Sequence, residues 1–554
     1  MSQSLLAFDT DHIKGYVFGT SKLKEIRGAS SRLDYLNRIL TREMAESTDF
    51  RAITIYANGG SALFLVDSDK AEKLGKAVQQ IYREKTGGGA SITYAIQPIP
   101  DYDPKDIMTA ERLNEHVTML DVLKLLRLRL RLAKDSLQMS RPQRDDPQQD
   151  DSEYYIAAPS HALLSLCNSC GINYAEEMRS DLDDPDESEG LYCRVCVHKR
   201  EEDRSVRNML HNAREELASD RKLWGRILQT LYGSDLPSLS LIPERPKDFN
   251  AFSDFSSGKD YLGLIYADAN SMGEAIAVQK SLEKVQRFAK KVDDAVFEAM
   301  GEAIRKHLPV KHNTFPFDIL LVGGDDIVMV TPAQKALQVA HTLAQRFYEL
   351  MNQQYTLSAG VVLAPVKYPF NLQRQLVEET IKAAKMAGSE NNTMRNSLQE
   401  RAHVNCMVVT GNTSLSYPKV YAGMKRKVGE QEEFCATMRP YTLPRLNWLL
   451  EQLSMGNQKR LGRTKLHQLR EAILKLDRTR AILESLMVLS NWKGPERKFI
   501  KEMVKEFDTR TQPQQKEETL FPWYLDGNAG KEDTRVYRTP LLDFVELYDF
   551  VSLL

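Results

Sequence analysis

An internal repeat is the feature that most constrains how this chain can fold. Two segments share the order strand, helix, hairpin, helix, strand. In each, a strand-ending aspartate precedes a glycine pair, by 50 residues from Asp9 to Gly59-Gly60 and by 55 from Asp268 to Gly323-Gly324. The closing strands, SITYA and LSAG, also correspond. Because three landmarks recur in one order, the sequence predicts two tandem domains with a ferredoxin-like layout.

The two hairpins differ in their acidic residues. The second reads Gly323-Gly324-Asp325-Asp326, whereas the first reads Gly59-Gly60-Ser61-Ala62 and has no carboxylate. Glycines at a hairpin tip allow positive φ and close approach of a ligand. Two adjacent carboxylates repel each other unless cations neutralise them, and carboxylate oxygens suit Mg²⁺ or Mn²⁺. The sequence therefore predicts a nucleotide–metal site in the second segment and none on the first hairpin.

Asp268, at the end of a neighbouring predicted strand, is the third candidate ligand. Two metal ions about 4 Å apart would activate an attacking hydroxyl and stabilise the leaving oxygen when a nucleotide α-phosphate is attacked. The alternative is that GGDD forms only a β-turn, since glycine and aspartate are common turn residues. The apolar strands that flank GGDD favour the metal site. We therefore expect Asp325, Asp326 and Asp268 to be the catalytic residues.

Two lysines and a serine are further candidates. Lys382 and Lys385 lie in the predicted helix ETIKAAKMAGS, from which a lysine could reach a triphosphate as a point charge. The alternative for both is a solvated helix face. Ser358, in the LSAG strand, could contact a base or a ribose, or it could be an ordinary strand serine.

Four of the six cysteines form two CxxC pairs, Cys167-Cys170 and Cys193-Cys196. Such pairs in a reducing compartment indicate metal ligands before disulfides. Four thiolates satisfy tetrahedral zinc and leave no open position, so the predicted zinc site is structural. The alternatives are reduced buried cysteines or a redox pair. His198 lies close by in sequence but is not needed as a ligand.

Composition limits the remaining possibilities. The 554 residues correspond to three or four domains of about 150 residues each. Lys and Arg total 75 against 76 Asp and Glu, which excludes a generally basic nucleic-acid coat. No apolar run approaches the roughly 18 residues of a membrane span. No secretory signal precedes the first predicted strand, so we expect a cytoplasmic protein without a membrane partner.

We predict an α+β multidomain chain of five segments. They are a first α/β domain at 1–134, a polar linker at 135–153, a zinc-ribbon and helical connector at 154–255, a second α/β domain at 256–425 and a C-terminal α-helical bundle at 426–554. Leucines at helical spacing from Leu446 indicate the bundle, with irregular structure after Gln512. LRLRLRL near residue 130 fits strand or helix, and its length favours helix.

Together these motifs resemble the large subunit of type III CRISPR effector complexes, the palm-domain CRISPR polymerase family. The resemblance runs from about Leu5 to Gly388 and is carried by FDTDHIKGYVFGTSKLKEIRGASSRL, CNSCG…CRVC, YADANSMG, LLVGGDD, LSAG and AAKMAG. GGDD alone also occurs in diguanylate-cyclase-like proteins. The order of palm, four-cysteine ribbon, GGDD palm and helical bundle is much more specific.

The resemblance implies two facing palms that hold two ATP molecules and join ATP into cyclic oligoadenylates. Asp325 and Asp326 match the family's metal-binding pair, and Asp268 matches its first-strand acid. The positions that would contact nucleotide are Gly323, Gly324, Ser358 and Lys385, with Arg27 and Ser30 from an RGAS motif that could instead be a plain helix N-terminus. The implied cofactors are Mg²⁺ or Mn²⁺ and structural Zn²⁺, with ATP as substrate. The implied partners are guide RNA, target RNA and the smaller complex subunits.

Some features depart from the family pattern. None of the ten histidines is followed by aspartate, so we expect no HD-type nuclease. Ala269-Asn270 stands where many relatives carry a glycine or a second acid, which leaves a second metal site open. Basic residues from Lys425 to Arg480 could contact RNA phosphates or form a solvated surface. The alternative functions are a non-catalytic scaffold subunit and a stand-alone cyclase of the diguanylate type.

Overall fold

A computed structural model describes residues 2–100, 106–139, 164–179, 189–212, 221–233, 242–256, 260–390, 401–411, 416–429, 431–475, 478–511, 521–526 and 535–551. The chain forms two compact units. The first comprises Met1–Ile242, Ser271–Gly301 and Ile319–Ile327, and the second comprises Pro243–Asn270, Glu302–Asp318 and Val328–Leu554. These units do not follow the five predicted segments, whose boundaries remain a prediction. Among the described residues, no helix is both long enough and apolar enough to cross a membrane.

The first unit contains a four-stranded antiparallel sheet of β1 (Gln3–Asp11), β2 (Ile53–Asn58), β3 (Ser61–Asp67) and β4 (Ser91–Pro98). The strand order is β2-β3-β1-β4, with β1 between β3 and β4. This is the order that a ferredoxin-like strand–helix–strand–strand–helix–strand chain produces. The connecting helices are Ile13–Val17, Leu23–Asp34, Thr41–Glu46 and Ser68–Thr86.

A helix after the fourth strand, Met119–Met139, covers one face of this sheet. Alternate residues of the strands, such as Leu5 and Ala7, point to that face because strand side chains have a period of two. Val122 and Leu126 of the helix pack in the same core. The helical prediction for LRLRLRL is confirmed, and the helix extends into the predicted linker, whose residues 140–153 lie outside the described part.

The first unit also contains the ribbon strands β5 (Glu177–Arg179) and β6 (Gly190–Tyr192) and the helices Arg194–Asn212 and Leu223–Tyr232. Helix Met272–Ala277 and the part of helix Leu282–His307 up to residue 301 belong to it as well. Leu282 and Val285 join the core of the first sheet.

The second sheet has six strands in the order β14-β11-β10-β7-β9-β8. They are β7 (Tyr261–Ala269), β8 (Asp318–Gly323), β9 (Asp326–Pro332), β10 (Leu357–Pro365), β11 (His403–Val408) and β14 (Tyr441–Thr442). Four of them repeat the first sheet, since β10-β7-β9-β8 corresponds to β4-β1-β3-β2. The boundary between the units passes through the β8–β9 hairpin, and its tip belongs to the first unit.

Helices Ala333–Leu350 and Phe370–Glu390 flank β10 in sequence. The glycine of the LSAG strand has a packing role here. A Cβ on Gly360 would lie 2.6 Å from the backbone nitrogen of Ile381, so the helix approaches the strand as closely as only glycine allows.

The C-terminal region contains helices and also a sheet that the sequence did not predict. Its helices are Tyr417–Gly423, Leu443–Gln458, Arg463–Leu474, Arg478–Ser490, Gly494–Thr511 and Leu541–Leu547. The sheet has the order β12-β13-β16-β15, with β12 (Lys425–Val428), β13 (Glu432–Cys435), β15 (Tyr524–Leu525) and β16 (Arg535–Arg538). The prediction of an all-helical C-terminus with irregular structure after Gln512 is therefore wrong in part. The strands are two to four residues long, and β13 pairs with β16 across about a hundred residues of sequence, which leaves little local signal.

Candidate functional site

Both glycine-bearing hairpins close through two-residue turns. The turn residues are Gly59-Gly60 between β2 and β3, and Gly324-Asp325 between β8 and β9. The sequence comparison had matched Gly59 with Gly323, so the structure shifts the alignment by one residue. Gly60 therefore corresponds to Asp325, and Ser61 corresponds to Asp326. The prediction that only the second hairpin carries carboxylates is unchanged by this shift.

The two turns are in backbone contact within the first unit. A Cβ on Gly59 would lie 2.5 Å from the nitrogen and 2.6 Å from the Cα of Gly324. Both residues have positive φ, 60° and 61°, which side-chain-bearing residues rarely adopt. Glycine is required at Gly59 for both reasons, and the contact brings the GGDD tip against the first sheet.

A cavity of about 400 Å³ opens beside this contact. Its walls come from the end of β1, the following helices and both hairpins. The lining residues are Thr10, His12, Ile13, Lys14, Gly15, Ser30, Leu33, Asp34, Asn37, Gly59, Gly60, Leu321, Val322, Gly323 and Asp326. The structure thus brings three predicted site residues, Ser30, Gly323 and Asp326, around one cavity.

The wall of the cavity contains a buried hydroxyl without a partner. Ser30 is 2 % exposed, and its Oγ has no hydrogen-bond partner among the described residues. Unsatisfied buried polar groups are rare in folded proteins because each costs the desolvation energy of the group. Since Ser30 borders the cavity, this hydroxyl lies next to the space that a ligand would fill.

Asn37 and Asp34 complete the polar wall. The Oδ1 of Asn37 accepts hydrogen bonds from Thr10 Oγ1 (3.1 Å) and from the Tyr82 hydroxyl. Asp34 pairs with Arg38 at 3.1 Å, and burial raises the pKa of its carboxyl above the ordinary value. Sequence reasoning missed both residues, and helical spacing from Ser30 could have found them, because residues three, four and seven apart share a helix face.

Asp268 lies near the end of β7, in the second unit, and forms an ion pair with Lys385. Both side chains are partly exposed, at 22 % and 36 %. Lys382, one turn earlier on the same helix, is exposed. Of the two candidate lysines on this helix, Lys385 is the one that contacts the predicted metal ligand Asp268.

Ser358, for which a nucleotide contact and an ordinary strand position were both open, lies inside the second sheet. It is fully buried, and its Oγ accepts hydrogen bonds from Asn270 Nδ2 (3.0 Å) and from the backbone N–H of His403 (3.4 Å). Asn270 also donates to Thr356 Oγ1 at 2.9 Å. This geometry gives Ser358 the role of orienting Asn270, the residue that follows β7.

The first sheet carries a counterpart of the Asp268–Lys385 pair. Asp9 accepts from Lys134 Nζ at 2.5 Å, and burial raises the pKa of the Asp9 carboxyl above its ordinary value. Lys134 and Lys385 both come from the helix that follows the fourth strand of their sheets. Sequence reasoning missed Lys134, although extending the repeat by one helix would have found it.

The four predicted zinc ligands form one cluster in the first unit. All four sulfur atoms lie within 4.8 Å of one another, and Cys170 Sγ is 3.9 Å from Cys193 Sγ. Tetrahedral zinc with Zn–S bonds of about 2.3 Å places its sulfurs roughly 3.8 Å apart, so the cluster fits zinc. Hydrogen bonding with Cys170 raises the pKa of the Cys193 thiol above its ordinary value. A cation bound between the four sulfurs would favour their thiolate forms.

Arg27 lies away from the cavity wall. Its guanidinium pairs with Asp203 at 3.3 Å, and both side chains are nearly fully buried. Asp203 belongs to the helix Arg194–Asn212, which begins directly after Cys193. The predicted role of Arg27 in nucleotide binding therefore differs from its environment here, which is a contact with the ribbon.

Comparison with known proteins identifies the second sheet. Residues 261–398 match the family model of the Cas10/Cmr2 second palm domain. This match confirms the resemblance predicted from the sequence, that of a Cas10-like large subunit. No curated protein matches the sequence.

Several solved structures share the fold of the chain. The Csm1–Csm4 cassette in complex with cA4 aligns with a TM-score of 0.54 and 14 % identity over 99 % of this chain and 69 % of the solved chain. The same cassette with cA3 gives 0.54 and 14 % over 100 % and 70 %, and with one ATP it gives 0.52 and 14 % over 100 % and 70 %. At this identity the likeness is one of fold.

Proposed function

We propose that this chain, whose residues 261–398 carry a Cas10/Cmr2 second palm domain, is the large subunit of a type III CRISPR effector complex that converts ATP to cyclic oligoadenylates. The solved Csm1–Csm4 cassettes with a similar fold were captured with cA3, cA4 and ATP. The first sheet then acts as a palm without acids at its hairpin. Such a subunit would act in antiviral defence in the cytoplasm.

The observation that carries this proposal is the cavity beside the GGDD tip. It has the size of a ligand pocket, about 400 Å³, and Asp326 and Gly323 form one side of it. Ser30 borders the other side, and its buried hydroxyl has no hydrogen-bond partner within the part of the chain that the structure describes. A nucleotide bound in this cavity would place polar groups near Ser30. Its phosphates would share divalent cations with the acidic tip.

The reaction would be attack of a ribose 3′-hydroxyl on the α-phosphate of a second ATP, with pyrophosphate as the leaving group. Asp325, Asp326 and Asp268 are the proposed ligands of Mg²⁺ or Mn²⁺. Ions held by these carboxylates would lower the pKa of the attacking hydroxyl and stabilise charge on the leaving oxygen. The half-buried carboxylates at the tip suit this role because oxygen ligands hold these ions together with substrate phosphates.

The chain's own residues have separate tasks in this scheme. Ser30 orients one nucleotide by a hydrogen bond in the cavity. Lys385 neutralises Asp268 in the resting protein, and its ammonium would turn to the triphosphate once cations pair with the acid. Lysine suits such an exchange, because its flexible stem carries a point charge that binds phosphate without fixed geometry.

The proposed partners are the smaller complex subunits, guide RNA and target RNA, with target RNA as the activating signal. The solved cassettes pair Csm1 with Csm4, which supports a second subunit as a partner of this chain. The four-cysteine cluster would hold a structural zinc ion.

The proposal is tested with the purified chain, Mg²⁺ and each labelled nucleotide, with products identified by mass spectrometry. The variant carrying both Asp325→Ala and Asp326→Ala serves as the control. We expect cyclic products from ATP that the variant does not form. If no product appears, the same assay is run on the assembled complex with matched target RNA, and silence there identifies a scaffold subunit. Products from GTP without RNA would instead identify a stand-alone cyclase of the diguanylate type.

A further inference from the structure

The helix Leu23–Asp34 has two occupied faces. Ser30, Leu33 and Asp34 line the cavity. Residues Glu25, Arg27 and Gly28 face the four-cysteine ribbon and the helix Arg194–Asn212 that begins within it. All of these residues belong to the first unit. Any shift of this helix on its ribbon side is therefore transmitted to the cavity wall.

The contact on the ribbon side is close and involves the backbone. A Cβ on Gly28 would lie 1.7 Å from the carbonyl oxygen of Lys199 and 3.2 Å from the backbone nitrogen of Asp203. Lys199 in turn donates a hydrogen bond to the carbonyl oxygen of Tyr16 and lies over the Tyr16 ring at 4.5 Å from its centroid. The two helices therefore have little freedom to slide.

Buried charges fix the register of the same contact. Arg27 pairs with Asp203 at 3.3 Å, and the two side chains are 4 % and 1 % exposed. Ser31 donates a hydrogen bond to Glu202 at 3.0 Å. Buried charged pairs act strongly on geometry, because displacing one partner leaves the other charge uncompensated in a medium of low dielectric.

Glu25 connects the helix to the metal-binding knuckle itself. Its carboxylate is fully buried, accepts a hydrogen bond from Ser169 Oγ at 2.6 Å and pairs with Arg200 at 2.7 Å. Ser169 lies between the two ligands Cys167 and Cys170. A change in the knuckle therefore reaches Glu25 through one hydrogen bond.

We propose that the four-cysteine zinc site is a positioning element for the nucleotide cavity, acting through the Ser169–Glu25 and Arg27–Asp203 contacts on the helix that also carries Ser30. A zinc ion bound by all four cysteines would link the loop that contains Cys167 and Cys170 to Cys193 and Cys196, at the start of the helix Arg194–Asn212. Loss of zinc frees the knuckle and loosens the cavity wall. This inference rests on the proposed function in that the ligand of the cavity is a nucleotide.

The test uses the full chain and two readouts other than turnover. Zinc content is measured by chelator release, and the affinity for a non-hydrolysable ATP analogue is measured by calorimetry. Ser169→Ala removes the contact with Glu25 without removing a ligand. We expect it to keep one zinc per chain and to weaken analogue binding about tenfold, as for small displacements of positioning groups. Cys196→Ser is expected to lose zinc and weaken binding at least as much.

Arg179→Ala is the matched control. Arg179 pairs with Glu201 of the same helix at 3.0 Å, but on an exposed side of the ribbon. Its loss should change neither zinc content nor affinity. Hydrogen exchange of residues 23–34 should rise in Ser169→Ala and in Cys196→Ser and stay unchanged in Arg179→Ala.

The failures of the two proposals differ. Equal analogue affinity with and without zinc, together with unchanged exchange in residues 23–34, overturns the positioning role and leaves the proposed function intact. A zinc-loaded wild-type chain that binds no analogue overturns both.

Discussion

The two hairpins of this chain share a two-residue turn and differ in whether they carry acids. Both turn through two residues between neighbouring strands of sheets with one strand order. Where the second has Asp325 and Asp326, the first has Gly60 and Ser61. Because the strand order and the turn length are common to both, a two-residue turn of this kind is compatible with acids at its tip and with none.

The acids at the strand ends, in contrast to the hairpin acids, occur in both halves of the repeat. Asp9 pairs with Lys134 and Asp268 pairs with Lys385, each lysine arriving from the helix after the fourth strand. An acid–lysine pair is therefore a property of the repeat and does not by itself mark the catalytic half. Of these two features, the hairpin carboxylates are the one that distinguishes the two halves.

The first sheet has a feature of its own. Its helix Leu23–Asp34 supplies Ser30, Leu33 and Asp34 to the cavity. We infer a division of labour in which the first sheet holds a nucleotide and the second hairpin supplies the acids for the reaction. Four pairs of variants test this division.

The largest effect is expected when a hairpin acid is lost. Asp326→Asn should lower turnover about a thousandfold, because several kcal/mol of transition-state charge stabilisation depend on it and each 1.36 kcal/mol is tenfold. Ser61→Ala, at the corresponding position of the first hairpin, should leave the rate within about twofold. Steady-state rates of cyclic product formation check the pair. Equal losses in both variants would mean that the first hairpin also takes part in the chemistry.

The two lysines provide the next comparison. Lys385→Ala should lower turnover about 30-fold, the equivalent of about 2 kcal/mol for a charge-assisted hydrogen bond to phosphate. Lys134→Ala should change turnover less than about threefold. Both variants should lose less than about 1 kcal/mol of stability, since both ion pairs are partly exposed. Turnover and urea unfolding are measured side by side, and a reversed order of the two rates would place the triphosphate at the first sheet.

Much of this comparison could be predicted from sequence. The repeat, the strands around both hairpins and the cysteine cluster all have strong local patterns: apolar alternation, glycine at turns and CxxC spacing. Asp325 and Asp326 stand out because two acids beside two glycines are costly without a cation. The single-residue shift between the hairpins was not visible, because glycine pairs align equally well in either register.

Other parts depend on tertiary contacts. Arg27 and Ser30 lie three residues apart in one motif, yet Arg27 pairs with Asp203 whereas Ser30 borders the cavity. Nothing local in the sequence tells which of them faces the ribbon. Ser358 looks accessible in a strand but is buried by Asn270 and His403, which are distant in sequence. The small C-terminal sheet pairs strands too short to leave a periodic signal.

The contact between the hairpin tips gives a third comparison. Gly59→Ala places a Cβ 2.5 Å from the Gly324 nitrogen and should lower turnover about tenfold. Gly429→Ala is the matched control, because Gly429 also has positive φ (66°) but no heavy atom within 4 Å of its Cβ position. Both should lose about 1 kcal/mol of stability from the left-handed backbone, and Gly59→Ala should lose more because its Cβ also meets the Gly324 backbone. If turnover falls equally in the two, backbone strain alone explains the loss and the tip contact is irrelevant to the reaction.

The smallest effect is expected at the cavity wall, and it separates binding from chemistry. Ser30→Ala removes a buried hydroxyl that has no partner among the described residues, so it should cost no stability. It should weaken ATP binding about fivefold, the value of one hydrogen bond of about 1 kcal/mol, and leave kcat unchanged.

Thr86→Val is the control for removing a buried hydroxyl that is satisfied. Thr86 Oγ1 donates to the Tyr82 carbonyl oxygen at 2.7 Å and accepts from the Ala90 N–H at 3.1 Å. Its loss should cost about 1–3 kcal/mol of stability without changing nucleotide affinity. The ATP affinity of both variants is measured by calorimetry, and their stability is measured by thermal unfolding. A Ser30→Ala variant that binds ATP as tightly as the wild type would mean that the first sheet does not hold the nucleotide. The proposed division of labour between the two halves would then be wrong.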